Sequence, residues 1–397
     1  MQNEQLMTEG KKYCLNVYNR LPIAMVKGEG AYIYDADGNK YLDFVAGIAV
    51  NALGHSHPKV VEAIAKQAAK MIHCSNLYWI EPQIQLAKLL VENSAFDKVF
   101  FGNSGAEANE GAIKLSRKYV KTHGKPESFE IVTMKKSFHG RTMATLTATG
   151  QDKIRQGFDP LLPGFKYVEY NNIDALKEAI TPTVCGVMLE PIQGEGGVIA
   201  ADKEYLQAVR NLCDENGLLL IFDEVQVGMG RTGKLFAYQN YDVVPDIMTL
   251  AKALGGGTPI GAFLTTDKVA EALVPGDHGS TFGGGPLVTA AGVATFTTML
   301  EDKVVENAAA MGTYLKEKLE ELCQKHEICL EIRGLGLILG MQLVGSGKNI
   351  VAECLKQGLL INCTSETVLR FIPPLIITKK EVDEAIAILD DVLSKNQ

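Results

Sequence analysis

The sequence predicts an α/β fold in which a mostly parallel sheet lies between layers of helices. Along the middle of the chain, apolar runs of strand length alternate with segments of helical spacing. These runs cover residues 98–102, 130–134, 184–189, 218–222, 247–250 and 260–265. They are apolar almost throughout, which is typical of parallel strands that are buried on both faces. Because ligands of such sheets bind beyond the carboxyl ends of the strands, the residues that follow these runs are the first candidates for a site.

Different patterns at the two ends of the chain predict a second, smaller α+β domain. Glycine turns between short apolar runs over residues 23–44 indicate β-hairpins, and apolar residues at helical spacing follow Pro58. Residues 290–323 have the pattern of one long helix. The short apolar runs after it, and a closing helical segment, cover residues 337–343, 359–363, 369–371 and 381–394.

The length of the chain also points to two domains, since 397 residues exceed what one hydrophobic core usually covers. We expect an N-terminal segment (1–54) that packs with the small domain, a large domain (55–290) and a C-terminal small domain (291–397). The net charge of −8 and the lack of a basic stripe argue against nucleic acid and anionic membranes as partners. A polar N-terminus, scattered cysteines and the lack of a long apolar run lead us to expect a cytoplasmic protein.

Residues 100–109, Phe-Phe-Gly-Asn-Ser-Gly-Ala-Glu-Ala-Asn, have the pattern of a strand that turns into a helix. The free N–H groups at a helix N-terminus form an anion site that the helix dipole favours. Ser104, Gly105 and Ala106 are therefore candidates for binding a phosphate, although an ordinary serine-capped turn has the same pattern. The Walker pattern is absent, which argues against nucleoside triphosphates.

Two acids and a lysine follow two other buried runs. Asp223 and Glu224 come directly after the first, where a carboxylate needs a partner such as a protonated pyridine nitrogen, a Mg²⁺ ion or Arg231. Lys252 stands between the second run and three consecutive glycines at 255–257. In apolar surroundings a lysine loses proton affinity and becomes a nucleophile, whereas most lysines simply keep their charged end in water.

Taken in chain order, these elements and four further stretches resemble the fold-type-I pyridoxal-phosphate enzymes, and within them the class III aminotransferases. The stretches are Ser-Phe-His-Gly-Arg at 137–141, Glu-Pro-Ile-Gln-Gly-Glu-Gly-Gly at 190–197, Gly-Met-Gly-Arg-Thr-Gly at 228–233 and Gly-Ser-Thr-Phe-Gly-Gly at 279–284. The resemblance extends over nearly the whole chain. It implies pyridoxal 5'-phosphate as cofactor, a seven-stranded sheet in the large domain and a homodimer with shared active sites.

The resemblance implies a role for individual residues at the cofactor. Lys252 is the amine that bonds to the cofactor aldehyde, and Asp223 pairs with the ring nitrogen. The other implied contacts are Ser104, Gly105 and Ala106 with the phosphate, Phe138 with the ring face, Gln226 with the ring hydroxyl and Thr281 with the phosphate in the neighbouring subunit. Many relatives have threonine where this chain has Ala106, so a hydroxyl contact is lost there. We expect no metal site.

The resemblance also implies how one site takes two substrates. Arg141 holds the α-carboxylate of N-acetylornithine, and Arg370 holds that of 2-oxoglutarate while Arg141 binds its distal carboxylate. Glu195 neutralises Arg370 when the amine donor is bound, and Ser280 contacts the acylated donor. The alternatives are an ion pair of Arg141 with an acid such as Glu107 and a purely structural Arg370.

The implied reaction transfers the terminal amino group of N2-acetyl-L-ornithine to 2-oxoglutarate. Its products are N-acetyl-L-glutamate 5-semialdehyde and L-glutamate, in arginine biosynthesis. Ornithine, succinylornithine, 4-aminobutyrate and acylated lysine are alternative donors, since the sequence does not place the residues that distinguish them. An aminomutase or decarboxylase on the same scaffold, and a catalytically silent binding protein, are the rivals from other classes.

Overall fold

The computed structural model describes residues 2–396. Its helices are α1 (Asn3–Tyr13), α2 (Ala46–Ala49), α3 (Pro58–Lys70), α4 (Glu81–Glu92), α5 (Gly105–Thr122), α6 (Met143–Ala148), α7 (Asp152–Arg155), α8 (Ile173–Ala179), α9 (Lys203–Asn216), α10 (Asp267–Ala270), α11 (Pro286–Glu301), α12 (Val304–Lys325), α13 (Lys348–Lys356) and α14 (Lys379–Lys395). Its strands are β1 (Met25–Glu29), β2 (Tyr32–Asp35), β3 (Lys40–Asp43), β4 (Lys98–Gly102), β5 (Glu130–Met134), β6 (Phe165–Val168), β7 (Val184–Leu189), β8 (Ile192–Gln193), β9 (Ile199–Ala200), β10 (Leu219–Asp223), β11 (Ile247–Leu250), β12 (Gly261–Thr265), β13 (Cys329–Leu335), β14 (Ile338–Leu343), β15 (Leu359–Leu360), β16 (Asn362–Thr364) and β17 (Val368–Phe371). Short 3₁₀-helices cover Ala237–Asn240 and Lys252–Gly255.

The central sheet has seven strands in the order β4-β12-β11-β10-β7-β5-β6. Only β12 runs antiparallel to its neighbours, and the remaining pairs are parallel. The middle strands β7 and β10 are buried at every residue, as expected for a sheet covered by helices on both faces. The structure therefore confirms the predicted α/β fold with a mostly parallel seven-stranded sheet.

The apolar runs predict six of these strands, and β6 is the one that they do not reveal. It lies at the edge of the sheet and pairs only with β5. Three of its four residues are only partly buried, and one of them is Lys166. An edge strand of this kind lacks the continuous apolar run by which buried strands are found.

The expectation of one helix over residues 290–323 is wrong. α11 ends at Glu301 and α12 begins at Val304, and Lys303 between them has a left-handed φ of 52°. That conformation breaks a right-handed helix but leaves the apolar spacing on either side intact. The strand β13 is also missing from the predicted set, because the charged residues Glu331 and Arg333 interrupt its apolar pattern.

A small sheet joins the two ends of the chain. Strands β1, β2 and β3 pair in sequence order, and β15 from the C-terminal part runs parallel to β3. We keep the division into 1–54, 55–290 and 291–397 as a proposal. The β3–β15 pairing supports packing of the N-terminal segment with the small domain, and α11 crosses the second boundary.

The helix α11 packs against α3, α4 and α12. Half of its residues are buried, which fits a helix surrounded by protein on several sides. Across residues 2–396, none of the helices combines the length and the apolar character that crossing a bilayer requires.

Candidate active site

A cavity of about 480 Å³ opens at the carboxyl ends of the parallel strands. It is bordered by the segments that follow β4, β5, β7, β10 and β11, as the topology of the sheet requires. Eight of the predicted site residues line it together: Ser104, Gly105, Ala106, Phe138, Arg141, Asp223, Gln226 and Lys252. Glu195, Ser280, Thr281 and Arg370 are not part of this lining.

The N-terminus of α5 forms one end of the cavity. Ser104 is the N-cap, and its hydroxyl accepts a hydrogen bond from the backbone N–H of Glu107 at 3.2 Å. The N–H groups of Gly105 and Ala106 belong to the first turn and have no partner within the helix. A Cβ at position 105 would lie 2.7 Å from Cγ1 of Val225, so a larger residue would not fit here. A helix of 18 residues whose first turn lines a cavity is suited to bind a phosphate.

Asp223 is buried at the end of β10, with 3 % of its surface exposed. Its Oδ2 accepts hydrogen bonds from Nδ2 of Asn109 and from Nδ1 of His139, both at 2.8 Å. Its Oδ1 accepts a third from the backbone N–H of Val225 at 3.0 Å. Three donors hold the carboxylate in one orientation, and it keeps acceptor capacity toward the cavity that it lines.

Lys252 follows β11 and opens the 3₁₀-helix Lys252–Gly255, with a left-handed φ of 46°. Burial lowers the pKa of its ammonium to about 8, with Arg370 acting in the same direction and Glu195 opposing both. At neutral pH a larger fraction of this amine is therefore uncharged than for an ordinary lysine. Its side chain lines the same cavity as Asp223.

Glu195 and Arg370 form an ion pair behind the cavity wall, at 2.6 Å between Oε1 and Nη1. The same Nη1 donates to Oε1 of Gln226 at 3.0 Å, and Nε donates to Oδ1 of Asn362 at 3.2 Å. Burial raises the pKa of Glu195, but the charge and hydrogen bond of Arg370 outweigh this and lower it. Nη2 of Arg370 is buried and has no hydrogen-bond partner among residues 2–396. Arg370 thus has an unused donor, and Gln226 connects the pair to the cavity.

Arg141 is exposed at the cavity mouth, and its guanidinium carbon lies 5.6 Å from the ring centroid of Phe138. The alternative partner Glu107 is engaged elsewhere, because its Oε2 accepts from the backbone N–H and from Nδ2 of Asn103, each at 2.8 Å. Within the described part of the chain Arg141 forms no ion pair. A cation that is free at the entrance is available to an anionic ligand.

Ser280 and Thr281 lie on the loop at 279–284, beside the cavity. The hydroxyl of Ser280 accepts hydrogen bonds from Nδ2 of Asn103 at 3.2 Å and from the backbone N–H of Gly283 at 2.9 Å. Asn103 lines the cavity, so Ser280 is one residue away from it. Thr281 is exposed to solvent.

Sequence patterns do not single out four further residues that line the cavity, namely Asn109, His139, Glu190 and Val225. Asn109 lies one helical turn after Gly105, so its i+4 spacing from the phosphate turn was an available signal. Glu190 directly follows the buried strand β7, which is the signal that draws attention to Asp223. Its carboxylate accepts from the backbone N–H of Phe138 at 2.9 Å, and burial raises its pKa to about 7.

The other partners considered for Asp223 are not found beside it. Arg231 donates through Nη1 to the carbonyl oxygens of Leu337 at 2.9 Å and Pro373 at 2.5 Å. Residues 2–396 contain no group of three or more His, Cys, Asp or Glu side chains placed to hold a metal ion.

Comparison with known proteins agrees with this arrangement. Residues 14–393 match the family model for "Aminotransferase class-III". The chain belongs to the class-III aminotransferases. This aminotransferase is 58 % identical over 391 residues to the acetylornithine aminotransferase of Caldanaerobacter subterraneus, covering 98 % of this chain and 99 % of the relative. It is 55 % identical to that of Methanocaldococcus jannaschii, covering 100 % and 99 %.

Solved structures of aminotransferases have the same fold. The ornithine aminotransferase of Toxoplasma gondii superposes on this aminotransferase with a TM-score of 0.96 at 33 % identity, covering 100 % of this chain and 96 % of that one. The acetylornithine aminotransferase of Elizabethkingia anophelis superposes with a TM-score of 0.89 at 31 % identity, covering 100 % of both chains.

As a member of the class-III aminotransferases, this enzyme depends on pyridoxal 5'-phosphate. The cavity fits that cofactor. One end offers the free first-turn N–H groups of α5 to a phosphate, at a position where any Cβ on Gly105 would clash. A buried carboxyl group, that of Asp223, faces the same space as an amine of lowered pKa, Lys252. These are the groups that a phosphorylated, nitrogen-containing aldehyde requires.

Proposed function

We propose that this aminotransferase transfers the terminal amino group of N2-acetyl-L-ornithine to 2-oxoglutarate. The products are N-acetyl-L-glutamate 5-semialdehyde and L-glutamate. The names of the relatives at 58 % and 55 % identity support this donor, because both relatives align over nearly their full length. By the same inference the enzyme acts in arginine biosynthesis.

The different states of two arginines support the proposal most directly. Arg141 is exposed and forms no ion pair within residues 2–396, whereas Arg370 is neutralised by Glu195. A site with one free arginine suits a donor with one carboxylate, such as N-acetylornithine, whose α-amine is masked. When Glu195 leaves Arg370, the site has two cations and suits the two carboxylates of 2-oxoglutarate or glutamate.

We propose that the cavity residues divide the handling of the cofactor among themselves. Ser104, Gly105 and Ala106 bind the phosphate. Phe138 stacks on one face of the ring, and Gln226 contacts the ring hydroxyl. Position 106 contributes only its backbone N–H, because alanine has no hydroxyl.

Asp223 and Lys252 carry the chemistry in this proposal. The cofactor supplies an electron sink for the carbon next to the substrate nitrogen. Asp223 keeps the ring nitrogen protonated, since an anion beside it favours the charged form. Lys252 would hold the cofactor through its amine, and the free amine would move the proton at the substrate carbon. Its lowered pKa of about 8 suits that work near neutral pH.

The exposed apolar surface beside the site supports a homodimer. Leu77, Tyr78 and Trp79 expose 85 %, 67 % and 91 % of their surface, and Phe282 next to Thr281 exposes 65 %. Large apolar side chains grouped in this way are typical of a contact surface. We propose that a second copy covers them and that Thr281 contacts the cofactor phosphate of that copy. We also propose a cytoplasmic location.

Steady-state kinetics over a panel of amine donors test the substrate. We expect N2-acetylornithine to give the highest kcat/KM with 2-oxoglutarate, above ornithine, succinylornithine, 4-aminobutyrate and N-acyl-lysine. Free ornithine carries a positively charged α-amine close to Arg141. In N2-acetylornithine the acetyl group removes that charge. A clear preference for free ornithine would overturn the proposed donor.

The same assay separates a transaminase from other reactions on this scaffold. One glutamate should form for each 2-oxoglutarate consumed. Product that accumulates without glutamate would instead indicate an aminomutase or a decarboxylase. The molar mass of the protein in solution, measured by light scattering, tests the homodimer independently.

A further inference from the structure

Asn109 lies on the helix α5, where it lines the cavity and its side chain contacts two strands of the sheet. It is 1 % exposed, and its Nδ2 donates to Oδ2 of Asp223 and to the backbone carbonyl of His139, both at 2.8 Å. Its Oδ1 accepts from Oγ1 of Thr249 at 2.7 Å. Thr249 is itself fully buried, and it is the register neighbour of Asp223 on the adjacent parallel strand.

The chemistry of the partners fixes the orientation of the amide. A backbone carbonyl and an ionised carboxylate only accept hydrogen bonds, so the atom between them must be the –NH₂ group. The carbonyl of Asn109 then faces Thr249, whose hydroxyl must donate. Both N–H groups of Asn109 are used, and neither is left for a ligand.

We propose that Asn109 is a positioning residue that keeps Asp223 anionic and aimed at the ring nitrogen of the cofactor. A donor that cannot accept a proton stabilises only the ionised form of its neighbour. The hydrogen bond from Thr249 prevents the amide from turning its oxygen toward Asp223. This inference rests on the proposed pairing of Asp223 with the ring nitrogen.

The variant Asn109→Asp tests the inference because it is almost isosteric and reverses the hydrogen bonding. Two carboxylates would then share one site, and a proton would be held between them. The readout is the equilibrium affinity of the apoprotein for pyridoxal 5'-phosphate and for an analogue in which C–H replaces the ring nitrogen. Both ligands keep the aldehyde and phosphate, so only the nitrogen distinguishes them.

We expect N109D to lower the affinity for the cofactor about tenfold, the size of one charge-assisted hydrogen bond, and to leave the affinity for the analogue within about twofold. An equal loss for both ligands would show a merely structural role and overturn the inference. Unchanged affinities for both would overturn it as well.

If N109D does not fold, a second pair of variants tests the positioning role of Asn109. Thr249→Val removes the hydroxyl that orients Asn109, and Thr265→Val is its matched control. Thr265 is equally buried on the neighbouring strand, but its Oγ1 donates to the carbonyl of Asp246 at 2.8 Å. T249V should lower the cofactor affinity about threefold without affecting the analogue. If T249V behaves like T265V toward both ligands, the inference is wrong.

The variant Asp223→Asn separates failure of this inference from failure of the proposed site. It should abolish the preference of the wild type for the cofactor over the analogue. If the preference survives in D223N, the role proposed for Asp223 is wrong. If D223N abolishes the preference and N109D does not, the role of Asp223 stands and only that of Asn109 falls.

Discussion

Asp223 and Glu195 are two carboxylates beside one cavity that are held in opposite ways. Asp223 accepts from three donors on α5, the 137–141 segment and its own strand end. Glu195 is held mainly by Arg370 on β17, with a longer 3.4 Å contact from Nε2 of Gln226. A carboxylate fixed by three donors keeps one orientation, whereas one held by a single arginine can exchange its partner. The site therefore combines a constant end, at the cofactor, with an adjustable end, at the substrate.

We expect the largest change in rate from a substitution at Asp223, at the cofactor end of the site. Asp223→Asn replaces the anion by a neutral amide of the same shape, so both half-reactions should slow together by about 10² to 10³, the effect of losing a preorganised charge. Rapid-mixing absorbance with glutamate and with N2-acetylornithine measures each half-reaction. A loss confined to one of them would show that Asp223 serves a substrate.

Asp35 provides a matched control, because it is a buried carboxylate with several donors far from the cavity. It accepts from Asn3, Asn39 and Tyr41, and although burial raises its pKa, these hydrogen bonds lower the pKa below its usual range. Asp35→Asn should lower the free energy of unfolding by about 1–3 kcal/mol and leave both half-reactions unchanged. Since a lowered carboxyl pKa stabilises the fold above the unfolded value, wild type should lose this advantage below about pH 4. Urea titrations at several pH values measure it.

We expect the next largest change in KM from a substitution at Arg370, at the substrate end of the site. Arg370→Lys keeps the charge but loses the planar donor pair, so KM for 2-oxoglutarate should rise about 10- to 100-fold. KM for N2-acetylornithine should change much less, because Arg370 does not bind that donor. Arg333→Lys is the control, since Arg333 donates to the carbonyl of Gly197 and to Gln342 instead of Glu195. Equal increases for both substrates would contradict the division of roles.

A smaller effect is expected from removing the exchangeable charge. Glu195→Gln leaves Arg370 permanently uncompensated, so glutamate should bind about 2- to 10-fold more tightly and N2-acetylornithine more weakly. The ratio of the two KM values measures the change. If Glu331→Gln, which alters an exposed partner of Arg333, shifts the ratio as much, the Glu195–Arg370 pair is not the switch.

The smallest effect concerns Lys252 in the apoprotein. Its pKa of about 8 lies below that of an ordinary lysine, and the neutral amine is the form that attacks an aldehyde. The rate of reconstitution with pyridoxal 5'-phosphate should therefore rise with pH and level off above about pH 8. Stopped-flow absorbance measures this profile. A rate that keeps rising to pH 10 would show that burial does not lower the pKa of this amine.

The sequence predicts the buried strands of the central sheet better than its edge strand and the ends of the helices. Continuous apolar runs mark β7, β10 and β11, but the half-buried edge strand β6 carries no such run. The break between α11 and α12 depends on the backbone of Lys303, which hydrophobic spacing does not report.

Within the site, the sequence predicts positions near strand ends but not the direction of each side chain. Asp223 and Glu224 are equivalent by pattern, yet neighbouring strand residues point to opposite faces. Asp223 lines the cavity, whereas Glu224 accepts from the backbone N–H groups of Ala237 and Tyr238. The pairing of Glu195, in the turn between β8 and β9, with Arg370 on β17 joins residues far apart in the sequence. Only the resemblance to the family therefore indicates it before the structure does.

Borohydride reduction followed by peptide mapping shows whether Lys252 and Asp223 engage opposite sides of one cofactor. The wild type should carry the reduced cofactor on the peptide containing Lys252 and nowhere else. D223N should carry it on the same lysine, with the ring absorbance shifted toward that of an unprotonated nitrogen. Cofactor fixed on another lysine, or a D223N spectrum identical to that of the wild type, would exclude this arrangement of Lys252 and Asp223.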